Sequence, residues 1–124
     1  MTVKGISRKQ LGALGEQYAF EYLRQQGYRV IQRNWRCRTG EIDLIAWDGP
    51  LLVFVEVRTR TGGSGQFGSP QESVDYRKQL QVMETAQVYA HTHQLQHQMR
   101  FDVVSVITDK EGNQQSLDHI MNAF

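Results

Sequence analysis

The chain has a single cysteine in 124 residues, Cys37, so no disulfide can close within it and no cysteine-based zinc site can form. It has no apolar run near the roughly 20 residues that a membrane-spanning helix requires. Lys4, Arg8 and Lys9 near the N-terminus are not followed by an apolar stretch, which argues against a signal peptide. These absences predict a cytoplasmic protein with no membrane partner. A phosphate-cradling fingerprint is missing as well. Gly62, Gly63, Gly65 and Gly68 lie between Thr61 and Pro70 with no Gly-Lys-Ser/Thr after them, and the segment reads as a flexible flap able to order on a substrate. His91, His93 and His97 fit no standard metal-ligand spacing and read as a solvated stretch. No His–Asp pattern accompanies Cys37, which reads as a packed thiol rather than a nucleophile.

What is present is ordinary globular composition, with 40% apolar and 22% charged residues. The length suits a single domain over residues 1–124 with one sizeable core. The net charge is only +1, but it is unevenly spread. Residues 1–40 carry eight basic and two acidic side chains, and the remainder carries six basic and eleven acidic ones. A basic half beside an acidic half suits a nucleic-acid surface flanking a metal-holding site; an ordinary, unevenly charged surface is the plainer reading.

Hydrophobic spacing predicts a helix over about Lys9–Gln26, with Leu11, Leu14, Tyr18 and Tyr22 on one stripe widened by Ala19 and Leu23. Ser7 is its expected N-cap and Gly27 its terminator, while Gly12 and Gly15 suit close packing on a sheet. Tyr28–Ile31 reads as a short strand followed by the basic stretch Arg33–Arg38. Glu41–Trp47 and Leu51–Thr59 read as a hairpin around Asp48-Gly49-Pro50. Leu51–Val55 is apolar on both faces, as in a central strand covered on both sides. A second helix is expected from Ser73 to about His91, with Leu80, Met83, Ala86, Val88 and Tyr89 in the core. Phe101–Ile107 reads as a strand, and Leu117–Phe124 as a short element of undetermined type. The order predicts a small α/β or α+β sheet with helices on its faces.

The chemistry concentrates in the hairpin. Glu41 and Asp43 share one side of the first strand, and Glu56 and Arg58 one side of the second. If Asp48-Gly49-Pro50-Leu51 forms a four-residue loop, Trp47 faces Leu52, which sets Asp43 opposite Glu56 and Glu41 opposite Arg58; a two-residue Asp48-Gly49 loop would break that pairing. Directly opposed like charges repel, and a carboxylate following Val53-Phe54-Val55 is costly unless paired or bound to a cation. A divalent ion between the two would turn repulsion into coordination. Carboxylate oxygens without histidine or cysteine point to Mg²⁺ or Mn²⁺. The structural alternative is a Glu41–Arg58 ion pair with Asp43 at the edge of a turn. Arg33, Arg36 and Arg38 around Trp35 could grip phosphates while the indole stacks a base; alternatively Trp35 belongs to the core.

The run Gly40-Glu41-Ile42-Asp43-Leu44-Ile45-Ala46, followed by Val53-Phe54-Val55-Glu56-Val57-Arg58-Thr59-Arg60, resembles the bacterial YraN family. The likeness extends through Gly15-Glu16, Arg77-Lys78-Gln79 and Arg100–Val104 to Asn122-Ala123-Phe124. That family is assigned to the PD-(D/E)XK nuclease superfamily and is similar in pattern to archaeal Holliday-junction resolvases. The resemblance implies a restriction-endonuclease-like fold, a central mixed β-sheet flanked by helices. It also implies Asp43 and Glu56 as metal ligands and Glu16 as an additional site glutamate. Arg58 stands where the motif usually has lysine. Arginine stays protonated and cannot act as a base, although it can stabilise phosphate charge. Lys78 would supply an ammonium if its helix faces the site; otherwise it is a solvated surface lysine that could touch nucleic acid.

The expected function is metal-dependent hydrolysis of DNA, including branched DNA. The alternative is a nucleic-acid-binding or partner-binding module that keeps the nuclease fold with a weakened site. A homodimer is a further expectation, hinted at by the apolar strand Phe101–Ile107 if it forms a sheet edge.

Overall fold

The computed structural model describes residues 5–62 and 74–124. The elements run α1 (Arg8–Gln25), β1 (Arg29–Cys37), β2 (Gly40–Asp48), β3 (Leu51–Thr61), α2 (Tyr76–Thr92), β4 (Met99–Thr108) and β5 (Gln114–Ile120). The five strands form one sheet in the order β1-β2-β3-β4-β5. All neighbours are antiparallel except β3 and β4, which are parallel and joined through α2. This mixed sheet with two helices agrees with the expected α+β, restriction-endonuclease-like architecture.

The helix starts follow the local chemistry. The Ser7 hydroxyl accepts from the Gln10 N–H, and the Gln10 side chain accepts from the Ser7 N–H, which closes a capping box. Gly27 takes a positive φ just past the end of α1, the role its position predicts. Asp75 caps α2 by accepting from the Lys78 N–H.

The core has one layer on each face of the sheet. On one face, Ala19 and Leu23 of α1 pack on Leu44, Ala46, Val53, Val55, Val104 and Val106. On the other, Ala86 and Tyr89 of α2 pack on Ile42, Ile45, Leu52 and Phe54. Gly15 is what lets α1 lie so close. A Cβ there would come 1.7 Å from Thr59 Oγ1. At Gly12 a Cβ would meet nothing within 4 Å, so only Gly15 serves close packing.

Several expectations need correction. The first strand is nine residues long and absorbs most of the basic stretch, which leaves Arg38 in the turn before β2. Leu80 and Met83 are exposed and Val88 is only partly buried; Val82, Thr85 and Ala90 take the inner side of α2. Phe101–Ile107 lies in β4, between β3 and β5, so it is no sheet edge. The undetermined C-terminal element is β5 followed by a turn, with Phe124 stacked on Phe101. Most of the glycine-rich segment, residues 63–70, lies outside the described residues, as does Ser73, the expected start of the second helix. No helix among the described residues is long and apolar enough to cross a membrane.

Candidate active site

The β2–β3 hairpin has the register that the four-residue loop predicts, with Trp47 opposite Leu52 and Asp48 opposite Leu51. Only Gly49 and Pro50 lie between the strands. The ladder runs as far as Leu44 opposite Val55, one step short of Asp43 and Glu56. Beyond it a side chain takes over: Asp43 Oδ2 accepts from the Val57 N–H at 2.8 Å. The strict in–out alternation of β2 also breaks here, because Ile42 and Ile45 both face α2 while Leu44 faces α1. Across the ladder in β1, Asn34 adopts a left-handed φ of 51°.

The two carboxylates are held in apolar surroundings at this break. Glu56 is 4% exposed. Burial, and then repulsion from Asp43, push its pKa up to about 8 against the pull of Lys78 and Arg58. Asp43 is raised too, chiefly by burial, although the Val57 N–H opposes the shift. Glu16 on α1 is raised to about 7 by burial, then by Asp43 and Glu41, with Arg33 and Arg36 opposing. Asp43 thus acts on both Glu16 and Glu56, and protonation is favoured at all three carboxyl groups.

A cleft of about 450 Å³ opens over Glu16 and Asp43 but not Glu56, lined by Arg8, Leu11, Gly12 and Glu16 of α1 and by Glu41, Asp43 and Val57–Arg60 of the hairpin. Arg58 also lines a second depression beside Asp75, Arg77, Lys78 and Gln81 of α2. Lys78 Nζ stands 3.8 Å from Glu56 Oε2. Two buried polar atoms, Glu56 Oε1 and Arg58 Nε, have no hydrogen-bond partner among the described residues.

A model of the uncharacterised protein family UPF0102 matches residues 15–106. The chain belongs to this family. A UPF0102 protein of Caldanaerobacter subterraneus subsp. tengcongensis is 43% identical, with 98% of this chain and 100% of the relative covered. One of Desulforamulus reducens is 46% identical over 96% of this chain and 98% of its own length. One of Dictyoglomus turgidum is 38% identical over 96% and 100%. UPF0102 and YraN denote the same family, so the resemblance carried by the hairpin motif holds at that level.

The UPF0102 chain places Glu16, Asp43 and Arg58 around one cleft, and Lys78 reaches Glu56 from α2. Lys78 is the one whose surface reading gives way, since the N-terminal turn of α2 turns it toward Glu56. The Glu41–Arg58 ion pair does not form; Arg36, directly opposite Glu41 in the β1–β2 ladder, takes that carboxylate at 2.7 Å. Trp35 is half-buried against the α2-side core, edge-on to Tyr89 at 5.1 Å. Arg33 donates to Gln17 and lies over the Phe20 ring. Arg38 is exposed in its turn. Arg33 and Arg36 still act on the Glu16 carboxylate, so the basic strand does border the acidic cluster.

Arg8 and Arg60 are cleft residues that the sequence reading did not single out. The signal was available: Arg8, Gly12 and Glu16 recur every four residues on α1, and Arg60 is two residues from Arg58 on a strand.

Among the described residues no three His, Cys, Asp or Glu side chains gather as a ligand set. Magnesium does not require one, since one or two carboxylates commonly hold it while water and phosphate complete its shell. The buried, unpartnered Glu56 Oε1 and a half-buried Asp43 that faces the cleft fit such an ion. So does the absence of a soft ligand at the site.

Proposed function

We propose that this UPF0102 protein is a metal-dependent endonuclease of the PD-(D/E)XK type, acting on DNA in the cytoplasm. The observation that carries the proposal is the buried Glu56 just beyond the end of the β2–β3 ladder, with one oxygen lacking any partner among the described residues and its pKa raised by the half-buried Asp43. A buried carboxylate is costly unless it is paired, neutralised or bound to a cation, and Lys78 approaches only the Oε2 of Glu56.

Asp43 and Glu56 would hold Mg²⁺ or Mn²⁺. The chemistry such an ion supplies when bound is polarisation of a phosphoryl oxygen and acidification of water. The chain's own groups account for the rest. The Val57 N–H fixes the orientation of Asp43. Glu16, with its pKa near 7, is tuned to accept a proton from the attacking water at neutral pH. Arg58, from the wall of the cleft, donates to the attacked phosphate. Lys78 provides the ammonium that the motif position of Arg58 lacks. Arg8 and Arg60 add positive charge to the walls around the acidic floor, which suits a phosphodiester backbone.

The test is incubation of the purified protein with Mg²⁺ or Mn²⁺ on linear and branched DNA, beside an Asp43→Ala/Glu56→Ala double variant. Cleavage by the native chain and none by the variant is the expected result. No cleavage, or equal cleavage by both, overturns the enzyme reading. Salt-sensitive DNA binding without cleavage would favour the binding-module alternative.

A further inference from the structure

α2 leaves an apolar stripe uncovered. It turns Val82, Thr85, Ala86, Tyr89 and Ala90 to the sheet, while Tyr76 is 73% exposed, Leu80 47% and Met83 39%. Tyr76, Leu80 and Met83 are spaced by four and three residues, so they form one line along a single side of the helix. An exposed row of large apolar side chains marks an interaction surface more often than chance solvation. Tyrosine and methionine are also enriched in such surfaces.

The charges beside the stripe say what fits it. Arg77 and Glu84 lie about one turn before and one turn after Leu80, on the same flank. Neither makes an ion pair among the described residues. Opposite charges placed evenly about an apolar midpoint are self-complementary under a two-fold rotation. A partner of one charge sign would satisfy one of them and repel the other. A parallel helix pair would set like charges side by side.

We propose that this face of α2 is the interface of a homodimer, with α2 packed antiparallel on α2 of a second copy. A two-fold axis beside Leu80 sets the two leucines against each other. It also lays Arg77 of each copy opposite Glu84 of the other, so the ion pair forms twice. Two turns of helix bury less than the roughly 800 Å² per partner of a standard stable interface. The dimer is therefore weak, micromolar rather than nanomolar, and depends on concentration. It does not depend on the chemistry at Asp43 and Glu56.

Sedimentation equilibrium of the full chain over two decades of concentration tests this. The wild type should dimerise, and Leu80→Glu should raise the dissociation constant by about tenfold or more. Arg77→Glu and Glu84→Arg should each weaken self-association. An equimolar mixture of those two variants should restore it, because each copy then offers the charge the other needs. Circular dichroism melts establish that these exposed substitutions leave the fold intact. A wild type that stays monomeric overturns the proposal and assigns the stripe to a different partner. A dimer indifferent to Leu80→Glu, or a mixture no tighter than its components, overturns it equally.

Discussion

Lys78 Nζ lies 3.8 Å from Glu56 Oε2, a helix cation set against a buried strand carboxylate. The pair joins α2 to β3 at the point where the β2–β3 ladder ends. It also places an ammonium where the neighbouring motif residue, Arg58, can offer only a guanidinium.

Replacement of Lys78 therefore tests the division of labour between the two cations. Lys78→Met should slow single-turnover cleavage by about a hundredfold, the scale of losing one group that stabilises transition-state charge. DNA affinity should fall much less. Lys78→Arg should recover binding but not rate, because a planar guanidinium does not reproduce the compact ammonium set against Glu56. Wild-type cleavage by Lys78→Met would remove this residue from the chemistry.

Glu56 should make stability depend on pH in the direction opposite to an ordinary salt-bridged acid. Its folded pKa, about 8, lies above the ordinary 4.5, so protonation favours the fold. Its contribution is fully present below about 4.5 and is lost as pH rises through about 8. In metal-free buffer, Glu56→Gln should accordingly raise Tm at alkaline pH and flatten the pH profile. Added Mg²⁺ should stabilise the wild type there and leave Glu56→Gln nearly unmoved. Thermal melts across pH, with and without the ion, give the answer, and an unchanged profile in the variant would count against a buried, strained carboxylate.

On the neighbouring strand β4, opposite Val55, Asp102 should behave in reverse. It is fully buried. Burial alone would raise its pKa, but His119, Arg100 and the Asn122 N–H all donate to it and leave it below the usual carboxylate value. Its contribution is present above pH 3.8 and fades as pH falls through the lowered value. Asp102→Ala leaves Arg100 only Asp48 and Tyr28 as partners and should cost about 3–5 kcal/mol at neutral pH. Chemical denaturation should show that deficit shrinking in acid.

Gly15→Ala should destabilise a helix position where alanine normally helps. The new Cβ would fall 1.7 Å from Thr59 Oγ1 and 2.7 Å from two Thr59 carbons. Overpacking of this kind costs about 1–3 kcal/mol, or roughly 5–15 °C in Tm for a domain of this size. Combining it with Thr59→Ala removes two of the three contacts and should recover part of the loss. Equal Tm values for Gly15→Ala and wild type would show that α1 does not rest on Thr59.

Local chemistry made several features legible in the residues themselves. Ser7 and Gly27 bound α1 because capping and left-handed termination depend on nearest neighbours. Trp47 faces Leu52, the register that a loop over Asp48–Leu51 predicts and an Asp48-Gly49 turn would not, and the ladder runs to the step before Asp43 and Glu56. The family motif rests on the same contiguous strands.

What the pattern misread involves elements far apart in sequence. Leu80 and Met83 fit the same helical periodicity as Ala86 and Tyr89, and only the seating of α2 on the sheet determined which side was buried. Glu41 had two arginines within reach, and β1 pairing in register with β2 gave it to Arg36. Lys78 is 22 positions from Glu56 in the chain, so its place at the site depends on the β3–α2–β4 crossover. The sequence by itself determined the caps and the acidic motif, because each follows from residues a few positions apart. The tertiary structure alone decided which faces are covered and which charges meet, because burial and ion pairing depend on distances that only the packed sheet and helices set.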